Sequence, residues 1–291
     1  MFMRLKKKLA IATYSNSFTN NIGDSVQENA IYDAIKHVFP ESEIVKVLRD
    51  KWVENEEDTL NIMQGWYDVK SSIPIKGDSL FIATHLTNSI REYVKTVLPR
   101  DVNFGARDFI TKALFQNAYL SRCYTMTLPK RQKMPLNGKV FLSHVSDWEE
   151  YMPSELKENC VRVSHVYEGE DMPSTARKLI ERYRDEAALV ITRKVHCASP
   201  CLAMGIPVIA IYENQDRLER FEFLKGIFNP YSLQDLYDGK IDWNPEPIDI
   251  EDLKKLMFEN LKMSIQLSLG EDVDKEKLNA VRNSIKEYAI I

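Results

Sequence analysis

The stretch Ala188-Leu189-Val190-Ile191-Thr192-Arg193-Lys194-Val195-His196-Cys197-Ala198-Ser199-Pro200-Cys201-Leu202-Ala203-Met204-Gly205-Ile206-Pro207-Val208-Ile209-Ala210-Ile211-Tyr212 decides the fold. Residues 188–192 and 207–212 are short, continuous apolar runs of the kind buried on both faces of a sheet. Between them Ser199-Pro200 has the form of an N-cap followed by proline at the first helical position, and Gly205 stands where a helix ends. The pattern is strand, loop, short helix, strand, the unit of a parallel sheet. Comparable runs recur at 9–13, 79–84, 102–104, 123–127, 139–143 and 161–164. Val26, Ala30, Ile31, Ala34, Ile35 and Val38 share one helical face, as do Ala176, Leu179, Ile180 and Tyr183, which suits crossover helices. The fold class predicted is α/β.

The 291 residues suffice for two ordinary domains, and 44% hydrophobic with 28% charged residues is a globular balance. With 39 basic against 43 acidic residues there is no chain-wide footprint for nucleic acid. No run approaches the roughly 18 to 20 apolar residues of a membrane span, and the basic start is not followed by a signal-peptide core. The four cysteines form no CxxC pair, so free thiols and a cytoplasmic location are expected. The polar segment Pro129-Lys130-Arg131-Gln132-Lys133-Met134-Pro135-Leu136-Asn137-Gly138 is the best linker. It divides the chain into a domain of residues 1–135, a second of 136–272, and a charged amphipathic helix in 273–291 (Leu278, Val281, Ile285, Tyr288) that packs back across the domains.

In open parallel sheets ligands bind beyond the carboxyl ends of the strands, so the strand-to-helix loops hold the candidate chemistry. The first loop, Ser15-Asn16-Ser17-Phe18-Thr19-Asn20-Asn21-Ile22-Gly23-Asp24, ends on a glycine that lets backbone approach a ligand, and Asp24 opens a helix with capping-box spacing. Asp24 is either an N-cap or an acid/base group. His85 follows the 79–84 strand and is a secondary candidate for anion contact. Arg107, in Gly105-Ala106-Arg107-Asp108, offers a guanidinium fork for carboxylate or phosphate, or else a salt bridge to Asp108. Arg193, Lys194 and His196 crowd one loop beside a helix start, the pattern of an anion site with a proton donor. His165 and His144 stand at two further strand ends, Glu213 lies near the same edge, and residues 216–220 read as a solvated helix face. Zinc at His196, Cys197 and Cys201 lacks a fourth ligand and the usual spacing, so no metal is expected.

Several of these segments in order, Asn21-Ile22-Gly23-Asp24-Ser25, Gly65-Trp66-Tyr67 through Ala83-Thr84-His85, Gly105 to Asp108, Cys123 to Pro129, Leu189 to Ile211 and Arg217 to Phe228, resemble the polysaccharide pyruvyl transferase family. The resemblance implies two Rossmann-like domains facing a cleft in a glycosyltransferase-B-like architecture, the second domain carrying the main donor-site motif. It implies transfer of pyruvate from phosphoenolpyruvate to two hydroxyls of a sugar as a cyclic ketal, with release of phosphate and no cofactor beyond the donor substrate. Arg107 matches the family's arginine before aspartate, and Lys194-Val195-His196 its Arg-Leu-His motif, with lysine replacing the arginine and Arg193 next to it. On this basis His196, His165 and Asp24 are the expected catalytic residues. Arg107, Arg193, Lys194, Asn21, Gly23, His85 and Glu213 are the expected substrate-binding residues.

The acceptor is then a sugar or lipid-linked oligosaccharide of a surface polysaccharide precursor, met in the cytoplasm or at the inner face of the membrane with at most peripheral contact by Lys6-Lys7-Lys8. Tyr14, Phe18, Trp52, Trp66 and Tyr67 are either sugar-stacking or core aromatics. Two other readings stay open from the residues: a glycosyltransferase using a nucleotide-sugar donor, and a non-catalytic phosphate- or glycan-binding relative.

Overall fold

A computed structural model describes residues 8–14, 19–49, 59–68, 79–98, 102–169 and 171–291. Residues 15–18 of the first loop, Trp52, Lys6 and Lys7 lie outside the described residues. The described part of the chain begins with β1 (Lys8–Thr13), α1 (Ile22–Val38), β2 (Ile44–Leu48), β3 (Thr59–Tyr67), β4 (Ser79–Leu86), α2 (Asn88–Val97), β5 (Phe104–Ala106), α3 (Phe109–Lys112) and β6 (Tyr119–Leu120). It continues with β7 (Lys139–Ser143), α4 (Ser154–Lys157), β8 (Cys160–Val163), α5 (Met172–Glu186), β9 (Ala187–Thr192), α6 (Val195–Ala203), β10 (Val208–Tyr212), α7 (Gln215–Glu219), β11 (Tyr231–Ser232) and α8 (Leu233–Tyr237). Two long helices close it, α9 (Glu251–Ser268) and α10 (Lys275–Glu287). None of the described helices is long and apolar enough to cross a membrane.

The chain divides into two α/β units, one of Met1–Thr19, Gln27–Tyr124 and Asp252–Tyr288, the other of Asn20–Val26, Thr125–Glu251 and Ala289–Ile291. The expected bounds 1–135, 136–272 and 273–291 are corrected accordingly. The segment expected to link the domains is part of the second unit: Lys130 Nζ pairs with Asp249 at 2.6 Å, and the Arg131 N–H donates to the Met204 carbonyl at 3.0 Å. The terminal helices belong to the first unit. Fully buried Arg122 donates from Nε to the Ile285 carbonyl at 3.1 Å and from Nη2 to the Tyr288 carbonyl at 3.0 Å, satisfying acceptors that a helix end leaves open. Burial holds this guanidinium down to about 10. The Tyr124 hydroxyl fixes α9 by donating to the Met257 carbonyl. As expected, α10 buries Leu278, Val281 and Ile285.

All strand pairs among the described residues are parallel. The first sheet runs β2-β1-β3-β4-β5-β6 and the second β11-β10-β9-β7-β8. Counted within its own unit, the second sheet has the doubly wound order 2-1-3-4-5 and the first the same order with a sixth strand added, so in both the connections reverse direction between the first and third strands. β1 and β9 are almost wholly buried, which is why they read as continuous apolar runs. In the first unit Phe81, Phe104 and Phe115 stack at 4.8 and 4.9 Å within the core. In the second, Val140, Leu142, Leu189, Ile191, Ile209 and Ile211 form the core between strands and helices.

Several strands differ from expectation. Residues 124–127 form a 3-10 turn rather than part of a strand, because Arg122 adopts φ 54° and Thr125 turns its hydroxyl to Ser199 Oγ at 2.7 Å. The strand expected at 102–104 is β5, displaced to include Gly105. A Cβ on Gly105 would lie 2.7 Å from the Phe81 carbonyl oxygen and 2.8 Å from Tyr119 Oη. That glycine therefore permits close packing within the sheet. Gly105→Ala is predicted to destabilise the protein by about 1–3 kcal/mol, measured by urea unfolding at unchanged m-value.

Candidate functional site

The second unit places its order reversal between β7 and β9, and the crevice expected there is present. A cavity of about 320 Å³ is lined by His144, Asp147, Arg193, Lys194, Glu213 and Arg217. The liners lie in the segments that follow the carboxyl ends of three strands. β7 ends at Ser143 and leads into His144; β9 ends at Thr192 and leads into Arg193 and Lys194; β10 ends at Tyr212 and leads into Glu213. Register pairs Ser143 with Thr192, which brings the two loops side by side.

The turn out of β9 is tighter than Ser199-Pro200 suggested. Thr192 Oγ1 accepts the Lys194 N–H at 2.9 Å, and α6 starts at Val195 with Lys194 as N-cap, leaving Pro200 inside the helix. Ser199 is not the cap, since its hydroxyl is bonded to Thr125. Asn214 caps α7 by accepting the Arg217 N–H at 3.0 Å, so Arg217 comes to the cavity although its segment read as solvated surface.

The cations divide into two kinds. Arg193 is held in place: Nη1 donates to Glu213 at 2.6 Å, Nη2 to Asp147 at 3.3 Å, and the guanidinium lies 4.5 Å from the Trp148 ring centre. Its fork ties the loops after β7, β9 and β10 together. Lys194 and Arg217, by contrast, have side chains with no ion pair or hydrogen bond among the described residues. Burial, then Arg217, Arg220 and Arg193, push the Lys194 ammonium below its ordinary value, while Glu213 opposes them. An anion in the cavity relieves that repulsion.

His144 has φ 59°, in the left-handed region that a β-carbon disfavours. Its Nε2 accepts the backbone N–H of His165 at 2.9 Å. Burial first, then Lys194, His165 and Arg193, hold this imidazole down to about 4. His165 lies behind it, 1% exposed, with Nε2 2.9 Å from Tyr183 Oη, to which Cys197 Sγ donates at 3.3 Å. His165 Nδ1 has no hydrogen-bond partner among the described residues. His196 is the second residue of α6, with its ring 6.4 Å from that of Phe223. A Cβ on Gly23 would meet His196 Cβ at 3.0 Å, so the close approach that this glycine allows is to α6.

Asp24 does not open its helix. α1 begins at Ile22, with Asn21 Oδ1 accepting the Gly23 N–H at 3.3 Å, and Asp24 sits buried in the first turn with its N–H donating to the Asn21 carbonyl. Asn21 is thus a capping residue, and its backbone bridges to Val166. Hydrophobic contacts of Ile22 and Val26 with Met172 and Ala176 explain why this turn belongs to the second unit.

Arg107 and His85 lie in the first unit. His85 falls within β4 rather than after it, since the strand passes an irregularity at Ala83 and continues to Leu86. Its Nδ1 is 2.6 Å from Asp108 Oδ2, and Asp108 also caps α3 by accepting the Thr111 N–H at 2.8 Å. Burial and Arg107 keep His85 below its ordinary value, against the pull of Asp108. Burial pushes the Asp108 carboxyl up, but the hydrogen bond from His85 and the charges around it win, holding it at about 2. Arg107 is 4% exposed; Nη1 donates to Gln27 Oε1 at 3.2 Å, and Nε is 3.9 Å from Asp108. Of the expected aromatics, Tyr14 stacks on Trp66 at 5.6 Å and Tyr67 is fully buried, a core role.

Asp108 is ionised in the folded state at pH values where the unfolded carboxyl is already protonated, so its contribution is complete above about pH 4 and is lost as pH falls towards 2. Asp108→Asn should therefore cost about 1.5–3 kcal/mol in urea unfolding at pH 7, with the gap to wild type closing between pH 4 and 2. His144 has the opposite ionisation and the same direction of pH dependence: the unfolded imidazole takes up a proton near 6.5, the folded one only near 4. Its NMR titration midpoint should lie near pH 4, and wild type should lose more stability than His144→Asn as pH falls from 6.5 to 4.

No protein-family model matches the chain, and no curated protein matches it in sequence. Among solved structures, it is similar to a functionally uncharacterised protein of Klebsiella pneumoniae, with TM-score 0.50 and 13% identity over 78% of this chain and 93% of that one. It is also similar to a candidate UDP-N-acetylglucosamine 2-epimerase of Listeria monocytogenes, with TM-score 0.46 and 11% identity over 92% and 100% of the two chains. The S. aureus protein MnaA, solved with UDP, has TM-score 0.47 and 9% identity over 93% and 98%.

Proposed function

We propose that the protein is a pyruvyl transferase, which moves pyruvate from phosphoenolpyruvate onto a sugar of a surface polysaccharide precursor as a cyclic ketal and releases phosphate. The observation that carries this reading is the pair Lys194 and Arg217 at the reversal point of the second sheet, two cations that form no ion pair among the described residues, in a cavity beside His144. Such a pocket suits a small, multiply charged anion, and phosphoenolpyruvate carries both a phosphate and a carboxylate. The ordered sequence landmarks add the choice of reaction.

In this reading Lys194 and Arg217 hold the donor, and Arg193 acts by positioning the loops. Proton transfer to the vinyl carbon makes C2 electrophilic; one sugar hydroxyl adds there and gives up its proton. The second hydroxyl then displaces phosphate from C2 and closes the ketal. Of the two hydroxyl protons, one balances the new methyl group and the other the leaving phosphate. His196 is the first choice for the proton donor, with His165 and Asp24 as its partners. Roles for Arg107 and His85 in donor binding rest on their strand-end positions in the sequence and on the family resemblance, and the lipid-linked acceptor and work at the inner face of the membrane on the resemblance alone.

Calorimetric titration with phosphoenolpyruvate and with nucleotide sugars separates the reading from its rival. Phosphoenolpyruvate should bind, Lys194→Ala should weaken it at least about tenfold, and His196→Ala should abolish phosphate release in a screen of sugar acceptors while leaving donor binding measurable. Binding of a nucleotide sugar alone would assign glycosyl transfer instead. Phosphoenolpyruvate binding without turnover on any acceptor would favour a non-catalytic relative.

A further inference from the structure

We propose that His144 is a neutral hydrogen-bond donor of the cavity, presenting Nδ1–H to an oxygen of a phosphate-class anion while its Nε2 is locked as an acceptor. This deepens the proposed function and rests on it only for the identity of the anion. The lock is the backbone N–H of His165, 2.9 Å from Nε2. An amide N–H only donates, so Nε2 must carry its lone pair, and the one hydrogen of a neutral imidazole is on Nδ1. Nδ1 has no hydrogen-bond partner among the described residues. The ring borders this cavity and also a second one of about 290 Å³, lined by Leu142, Val145, Arg162, Val163 and Ser164. The two cations without partners, Lys194 and Arg217, select the first cavity for an anion.

Two features support this role. The left-handed backbone at His144, φ 59°, is a strained choice for a histidine and places its ring where the His165 amide reaches it. The groups facing the ring are Lys194 and Arg193 from the turn after β9, His165 after β8 and Cys197 on α6, with Asp147, Glu213 and Arg217 around the cavity. Lys194, Arg193 and His165 all oppose a positive charge on the imidazole, and only Cys197 among its resolved influences favours one. A neutral donor adds directional recognition without adding to the repulsion among the cations.

Sulfate is a suitable probe, because it does not change charge between pH 5 and 8. In 15N-histidine NMR of the wild-type protein at pH 7, His144 should be protonated at Nδ1 and not at Nε2, and the Nδ1–H resonance should move on saturation with sulfate. Asparagine keeps an N–H near the Nδ1 position and tolerates φ near 60°, whereas glutamine places its amide near Nε2. His144→Asn should therefore bind sulfate at least about five-fold more tightly than His144→Gln. The proposal is overturned if the proton is on Nε2, if sulfate fails to bind, or if it saturates without moving Nδ1–H. Equal losses in two folded variants would overturn it too; if either variant does not fold, the wild-type spectra decide. Failure of phosphoenolpyruvate to bind, with sulfate still moving Nδ1–H, would retire pyruvyl transfer and leave this role standing.

Discussion

The parallel pairing of β7 with β9 is the constraint on which the site depends. Those strands are neighbours because β8 is laid down on one side of β7 and the chain then crosses back, so no helix covers the edge between their carboxyl ends. Register from Val140–Leu189 to Ser143–Thr192 fixes which residues emerge there. A slip of one residue would reverse the faces of β9 and carry Arg193 and Lys194 away from His144. The buried apolar residues of both strands resist that slip, and core packing thus specifies the site's geometry.

Once the loops are adjacent, electrostatics separates positioning from binding. Arg193 has its fork committed to Glu213 and Asp147 and its plane against Trp148, so it serves as a brace. Lys194, capping α6, and Arg217, at the start of α7, lack such partners among the described residues and leave the pocket a positive interior. Arg217 supplies a guanidinium fork to the cavity into which Lys194 brings only a point charge.

The fold class and the importance of the 188–212 stretch were legible because buried parallel strands write themselves as unbroken apolar runs. Arg193, Lys194, Glu213 and His144 were legible for the related reason that ligands collect at strand ends. Arg217 was not, since its Asp-Arg-Leu-Glu-Arg context is that of any solvated helix, and only the Asn214 cap turns it inward. Ser199-Pro200 and Asp24 misled through local rules that tertiary contacts override: Ser199 bonds Thr125, and Asn21 takes the capping position. The division at the 129–138 segment failed because polar composition marks exposure rather than a boundary, and the ties of Lys130 and Arg131 are long-range. β2 was hidden by its only partial burial, which leaves no continuous apolar signal.

The most direct test of the central claim is a crystal structure of the protein soaked with phosphoenolpyruvate. The account predicts the phosphoryl or carboxylate group in the cavity beyond β7 and β9, within hydrogen-bond reach of Lys194 Nζ and the Arg217 guanidinium. Donor density elsewhere, with that cavity holding only solvent, would contradict it.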